Sequence, residues 1–169
     1  MTINLINGKN VNLRLVNEFD AEFIINLRLK KGEFLSQTAP DIKKQKDWIS
    51  QYKIRENNKK EYYFIIQDKS HKKVGTVRIY DIINNSFSWG SWLIVDNSSK
   101  FLAIESALLL YDFAFNKLNF KKSHFDVRKG NHSVIRFHKN FGATVIRSND
   151  KDHFFILKKD DYLQYSKKY

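Results

Sequence analysis

Hydrophobic and polar positions in this chain follow two rhythms. Alternation with a period of two, rich in β-branched and aromatic residues, marks VNLRLV (11–16), EYYFIIQD (61–68), KVGTVRIYDI (73–82) and SFSWGSWLIVD (86–96), and predicts strands. The turns at 69–72 and at Asn84-Asn85 fold the last three into an antiparallel meander. From Asp20 to about Lys31 the spacing of Ala21, Ile24 and Leu27, with Phe23 and Ile25, predicts a helix capped by Asp20. A second helix is expected to start at Pro40, with Ile42, Trp48, Ile49 and Tyr52 as its apolar stripe; GEFLSQTAP (32–40) is the connecting loop.

After residue 96 the pattern changes. NSSKFLA (97–103) is a polar turn opening into a helix over 100–118, which would bury Ile104, Ala107, Leu108, Tyr111, Phe115 and Leu118 and leave Glu105 and Asp112 off the stripe. KSHFDVR (122–128) reads as a strand. GNHSVIRFHKNFGA (130–143) reads as a short helix closed by a glycine, and TVIR (144–147) with HFFILKK (153–159) as a terminal hairpin. The helix over 100–118 thus joins two strands that would lie parallel, as crossovers do. Placed straight after a strand, its amino terminus offers unpaired N–H groups and a partial positive charge to an anion. Gly90 inside a strand marks a bulge or a close backbone approach. In the short helix, Asn131 and His138 are seven residues apart and share a face; Val134, Phe137 and Phe141 are assigned to the core, so the Asn/His pair is expected to look toward something polar.

Length and composition narrow the class. A chain of 169 residues, 42% hydrophobic and 15% aromatic, is expected to form a single domain (1–169) with a sizeable core. No apolar run approaches the length of a membrane span, the amino-terminal MTINLINGKN lacks a charged-then-apolar pattern, and there is no cysteine; a cytoplasmic protein is the expectation. The net charge of +12 raises the question of nucleic acid. The excess is mostly Lys spread along the chain, without an Arg-clustered recognition helix or zinc-finger spacing, so neither nucleic acid nor membrane is expected as a partner. The five histidines show no metal-ligand spacing, and neither a GxSxG elbow nor a P-loop is present, so no metal is expected. His124 is read as structural.

Together, Trp89-Gly90-Ser91-Trp92-Leu93, Ala103-Ile104-Glu105-Ser106, the helix start Asn131-His132-Ser133 and the closing Arg136-Phe137-His138-Lys139-Asn140-Phe141-Gly142, with Leu13-Arg14 near the start, resemble the GNAT superfamily of acyl-CoA N-acyltransferases. The branch they resemble contains the ribosomal-protein and amino-sugar N-acetyltransferases. The resemblance covers nearly the whole chain and rests on the order and spacing of these segments. It implies an α/β (α+β) fold: a mixed, mostly antiparallel twisted sheet of about six or seven strands with about four helices on both faces. It also implies acetyl-CoA as co-substrate and a primary amine as acceptor. RFHKNFGA looks more like the amino-sugar enzymes of surface-polysaccharide pathways, so a nucleotide-linked amino sugar is the expected acceptor. The alternatives are amino-terminal acetylation of proteins, or a binding module without catalysis.

Site residues follow from the same resemblance. Backbone groups of Leu93, Ile94 and Val95 would pair with the pantetheine arm. The segment Ser99, Lys100, Phe101, Leu102 and Ala103 would face the pyrophosphate, and Asn131 would touch the pantetheine. The family's Arg/Gln-x-x-Gly-x-Gly/Ala is matched here by Ser98, Phe101 and Ala103, so the basic residue and the glycine are replaced. Glu33, Phe34, Ser36, Gln37 and Trp92 would contact the acceptor. His138 stands where the family commonly has a tyrosine that protonates the leaving thiolate, and is expected to be the catalytic acid or base.

Overall fold

Why these segments become strands and helices is clearest from what each one buries. The computed structural model describes residues 5–33, 40–98 and 100–169. In chain order the elements are β1 (Ile6–Asn7), β2 (Val11–Leu15), α1 (Ala21–Lys31), α2 (Ile42–Asn57), β3 (Tyr62–Asp68), β4 (Lys73–Ile83), β5 (Ser86–Ile94), α3 (Lys100–Asp112), β6 (Lys122–Arg128), α4 (His132–Asn140), β7 (Thr144–Ser148), β8 (Asp152–Lys158) and α5 (Lys159–Tyr165). All seven expected strands and four expected helices are present. The additions are β1, too short at two residues to carry a pattern, and α5, whose seven residues bury only Tyr162. The chain divides into two compact units, Met1–Tyr80 with Gly90–Leu110, and Asp81–Trp89 with Tyr111–Tyr169.

In the first unit the strand order is β1-β2-β3-β4-β5. The β1–β2, β2–β3 and β3–β4 pairs are antiparallel, with Leu13 opposite both Ile6 and Ile66. β3 is buried from Tyr62 to Gln67, which explains why it reads as a continuous apolar run as well as an alternation. Val16, Ala21, Ile24, Ile49, Tyr52, Tyr63 and Ile65 form one core cluster against which Phe23 and Trp48 pack.

Two helix starts differ from expectation. Asp20 makes no capping bond to α1; it is 1% exposed and grips both Nη atoms of Arg14 at 2.9 and 3.0 Å, Lys73 Nζ at 2.8 Å and the Asn17 N–H at 2.8 Å. Asn17 instead caps the short 3-10 turn Glu18–Asp20. Pro40 lies outside α2, whose cap is Asp41, accepting from the Lys44 N–H at 3.2 Å.

In the second unit the order is β5-β6-β8-β7. The β5–β6 pair is parallel, as the crossover reasoning required, and its register is Ser86↔Lys122 and Phe87↔Ser123. β6–β8 and β7–β8 are antiparallel. The helix expected over 100–118 keeps α geometry only to Asp112; Phe113–Lys117 is a π turn, the wider winding that accommodates the buried Phe113, Ala114 and Phe115. The core here is aromatic: Tyr111 and Phe115 stack at 5.6 Å, Phe125 and Phe155 at 5.4 Å, and the Tyr111 hydroxyl accepts from Trp89 Nε1 at 2.8 Å. Gly142 closes α4 at φ +92, where a Cβ would fall 2.6 Å from the Tyr165 ring.

Candidate functional site

The donor segment lies in the first unit. Near the end of β5 the backbone departs from regular strand geometry at Ser91, with φ +48; the residue after Gly90 takes the left-handed conformation. Thr76 Oγ1 holds the Ser91 carbonyl at 2.8 Å. Gly75 admits the Leu93 carbonyl, which would stand 2.3 Å from any Cβ there, and the Val95 N–H donates to the Val74 carbonyl at 2.9 Å. Val95 therefore spends its backbone N–H on β4. Strand alternation turns the backbone groups of Ile94 away from β4.

The strand is followed by Asp96, held by Lys31 at 2.6 Å and Lys30 at 3.6 Å, and by Asn97 at φ +67; α3 then begins at Lys100. The Lys31 ammonium holds the Asp96 carboxyl below its usual range. Phe101 is 77% exposed, so the bulky residue standing in for the family glycine projects into solvent. Lys100 is exposed, and Leu102 and Ala103 are half-buried. The first-turn N–H groups of α3 have no intrahelical partner. This helix start fits a pyrophosphate group on that ground, despite the altered loop. Ser99 lies outside the described residues.

One turn further, Glu105 anchors the helix. Its carboxylate accepts from the consecutive N–H groups of Lys9, Asn10 and Val11 at 2.6–3.2 Å. Beside it Trp92 Nε1 donates to Ser106 Oγ at 3.1 Å, and that hydroxyl donates to the Ala103 carbonyl at 2.6 Å. Trp92, an expected acceptor contact, is thereby fixed to the same helix. Of the other acceptor candidates, Glu33 is exposed just past α1, and Phe34, Ser36 and Gln37 lie outside the described residues.

A polar cluster in this unit was not foreseen. Tyr63, 2% exposed, has its hydroxyl beside Arg28, Arg78 and Thr76, and burial pushes its pKa up. Arg28 Nη1 reaches Ser91 Oγ at 3.4 Å; Arg78 lies over the Tyr80 ring at 4.5 Å and meets Glu61 at 3.3 Å. Thr76, Arg78 and Tyr80 alternate along β4, which is the pattern that could have marked a polar face.

His138 and Asn131 belong to the second unit. The opposition expected between His138 and the core is overturned. His138 is the buried residue of α4, 5% exposed, with ring centroids of Phe125, Trp89, Phe137 and Phe155 at 4.2, 5.3, 5.5 and 5.8 Å. The reason is angular. At about 100° per residue His138 lies about 40° from Val134 and about 60° from Phe141, inside the apolar stripe. Desolvation drives its pKa down to about 3, and Nδ1 has no hydrogen-bond partner among the described residues. At neutral pH the imidazole is uncharged, so the proton-donating imidazolium is not available. Asn131 occupies the N-cap position of α4 without a side-chain capping bond, half-buried.

His124, read as structural, is bonded at both nitrogens: Ser86 Oγ at 2.5 Å from Nδ1 and Asp81 Oδ2 at 3.0 Å from Nε2. Among the described residues no His/Cys/Asp/Glu group has the makings of a metal site, and no helix is long and apolar enough to cross a membrane.

Residues 10–144 match the family model described as the acetyltransferase (GNAT) domain. The chain belongs to the GNAT acetyltransferase family. It is an acyltransferase, with the mixed, mostly antiparallel sheet of that fold. A solved structure described as apo FdhC, a nucleotide-linked sugar GNAT, is 42% identical, with a TM-score of 0.87 over 100% of this chain and 96% of that one. The ribosomal-protein-S5-alanine acetyltransferase of Vibrio fischeri, at 15% identity and a TM-score of 0.78, covers 95% of this chain and 99% of its own. A spermidine N-acetyltransferase of Vibrio cholerae, at 18% identity and a TM-score of 0.73, covers 92% and 98%. At those identities the last two share the fold alone. A comparison with curated proteins gives no match.

Proposed function

We propose that the protein transfers the acetyl group of acetyl-CoA to the amine of a nucleotide-linked amino sugar. The observation that carries this reading is the 42% identity, over the whole chain, to a GNAT described as acting on nucleotide-linked sugars. The N–H groups at the start of α3, with Lys100, receive the pyrophosphate; Ile94 presents backbone groups to the pantetheine arm, and Asn131 contacts the same arm. Such an enzyme needs orientation above all. The uncharged amine attacks the thioester carbon, a C–N bond forms, the C–S bond breaks, and a proton lost by the amine ends on the sulfur.

His138 enters this scheme as a neutral imidazole whose N–H hydrogen-bonds the departing sulfur. A neutral histidine in a dry site polarises a reacting group without titrating near pH 7. Glu33, Trp92 and the loop residues Phe34, Ser36 and Gln37 serve the acceptor side.

Thiol release from acetyl-CoA, measured with nucleotide-linked amino sugars, free amino sugars, amino-terminal peptides and polyamines, tests the reading. Turnover is expected with the nucleotide-linked amines; turnover with peptides alone would reject it. His138→Phe should lose turnover by roughly 10²-fold with the acetyl-CoA KM unchanged. The ratio of parent to variant rate should stay constant between about pH 5.5 and 8.5, because no imidazolium takes part. A ratio that bends with a pKa near 6.5 would restore the titrating acid–base role.

A further inference from the structure

The second unit holds a cavity that acetyl transfer does not use. It measures about 560 Å³ and is lined by Lys121, Lys122, Lys158, Lys159, Asp160 and Leu163. Lys122 opens β6 and Lys158 closes β8, and the register sets them directly opposite each other on the antiparallel pair. Like charges in that position repel. Their neighbours are locked into the same corner, since the Lys159 N–H donates to the Lys121 carbonyl at 3.0 Å. Four lysines thus line one concavity together with a single carboxylate, Asp160. Elsewhere in the chain lysines meet carboxylates: Lys31 meets Asp96, Lys53 meets Glu56 and Lys73 meets Asp20. Among the described residues none of these four lysines is in an ion pair.

The geometry points to an anion site in this corner, one that takes a small, multiply charged phosphate. Its volume falls in the range of ordinary small-molecule sites. A lysine cluster recognises phosphate as a set of point charges. No aromatic side chain lines the cavity, so there is no surface on which a nucleobase would stack. Leu163 is its one apolar wall. The occupant is therefore a compact chain of phosphates rather than a nucleotide read through its base. It would replace the repulsion across Lys122 and Lys158 with attraction.

Inorganic tripolyphosphate is the probe. Titration calorimetry on the full chain, with acetyl-CoA saturating so that the α3 amino terminus is occupied, should give one binding event, and the melting temperature should rise with the probe. The double variant Lys122→Gln/Lys158→Gln should bind about tenfold or more weakly and show no such rise. In phosphate-free buffer the same variant should melt above the parent, because the opposed charges are gone. Lys122→Arg/Lys158→Arg, which keeps the charges, should bind as the parent does. Acetyl-transfer rates at saturating substrates should be equal in all three proteins. Equal probe affinity in the Gln variant, no binding below about 10 mM, or a Gln variant that melts below the parent would each overturn the assignment.

Discussion

Three carboxylates of the first unit and one histidine of the second meet opposite surroundings. In the first, the carboxylates are met by donors: Asp20 by Arg14, Lys73 and a backbone N–H, Glu61 by Arg55 and Arg78, Glu105 by three consecutive amides. In the second, His138 is enclosed by aromatic rings with Nδ1 unpartnered, and gives up its charge. Burial alone does not decide whether a group stays ionised; the company does. Asp20 is held charged where the fold supplies fixed donors, and His138 is held neutral where it supplies only rings. The first arrangement stabilises the scaffold, whereas the second suits a site that must hydrogen-bond without trading protons with water.

The contrast can be broken at its strongest point by Asp20→Ala. Removing the carboxylate strands Arg14 and Lys73 and frees the Asn17 N–H, and should cost about 2–4 kcal/mol in urea unfolding at pH 7, less than a fully buried pair because both cations are partly exposed. A loss below about 1 kcal/mol would show that those donors find other partners.

Next in size is the pH dependence of stability. His138 has a folded pKa of about 3, below its unfolded value of about 6.5, so the folded state binds fewer protons between those values. Its contribution is present in full above about pH 6.5 and is lost progressively as pH falls toward 3. Between pH 6.5 and 5 the loss should be about 2 kcal/mol, and His138→Phe should flatten that part of the curve. Asp20, whose pKa is also lowered when folded, gives way in a different window, below its ordinary 3.8. Identical curves for parent and Phe variant would mean that the imidazole is not desolvated.

The smallest effect sharpens the contrast from the other side. Lys31→Ala removes an exposed partner of Asp96, a carboxylate in contact with solvent, and should leave the melting temperature unchanged within error. A clear drop would place Asp96 among the anchored carboxylates.

Much of this was legible in the residues. Alternation and turn chemistry gave the strands in order, the crossover gave the parallel β5–β6 pairing, and the segments around Trp89 and Asn131 pointed to the family later matched over residues 10–144. The misreadings share a physical origin: sequence pattern tells which positions are apolar, not which polar residues the fold will enclose. His138 was assigned outward because it is polar, although its helical angle places it within about 40° of Val134 and about 60° of Phe141. Asp20 looked like a cap because it precedes a helix, but Arg14, six residues earlier, and Lys73, from another strand, claimed it. Val95 was credited with an open backbone N–H because pattern cannot tell which neighbour a strand residue faces, and that group is bonded to the Val74 carbonyl on β4.

Glu105 also bears on the order in which the chain can fold. Its bonds to residues 9–11 close loops of 94 to 96 residues. Closing a loop of that length costs roughly 4 kcal/mol of chain entropy, a cost met only after the intervening strands have already drawn the ends together. The turn between the first two strands must wait for a helix made ninety-odd residues later. The amino-terminal edge of the sheet is thus a late piece of the structure, secured by a side chain on the very helix whose first turn is proposed to receive the pyrophosphate.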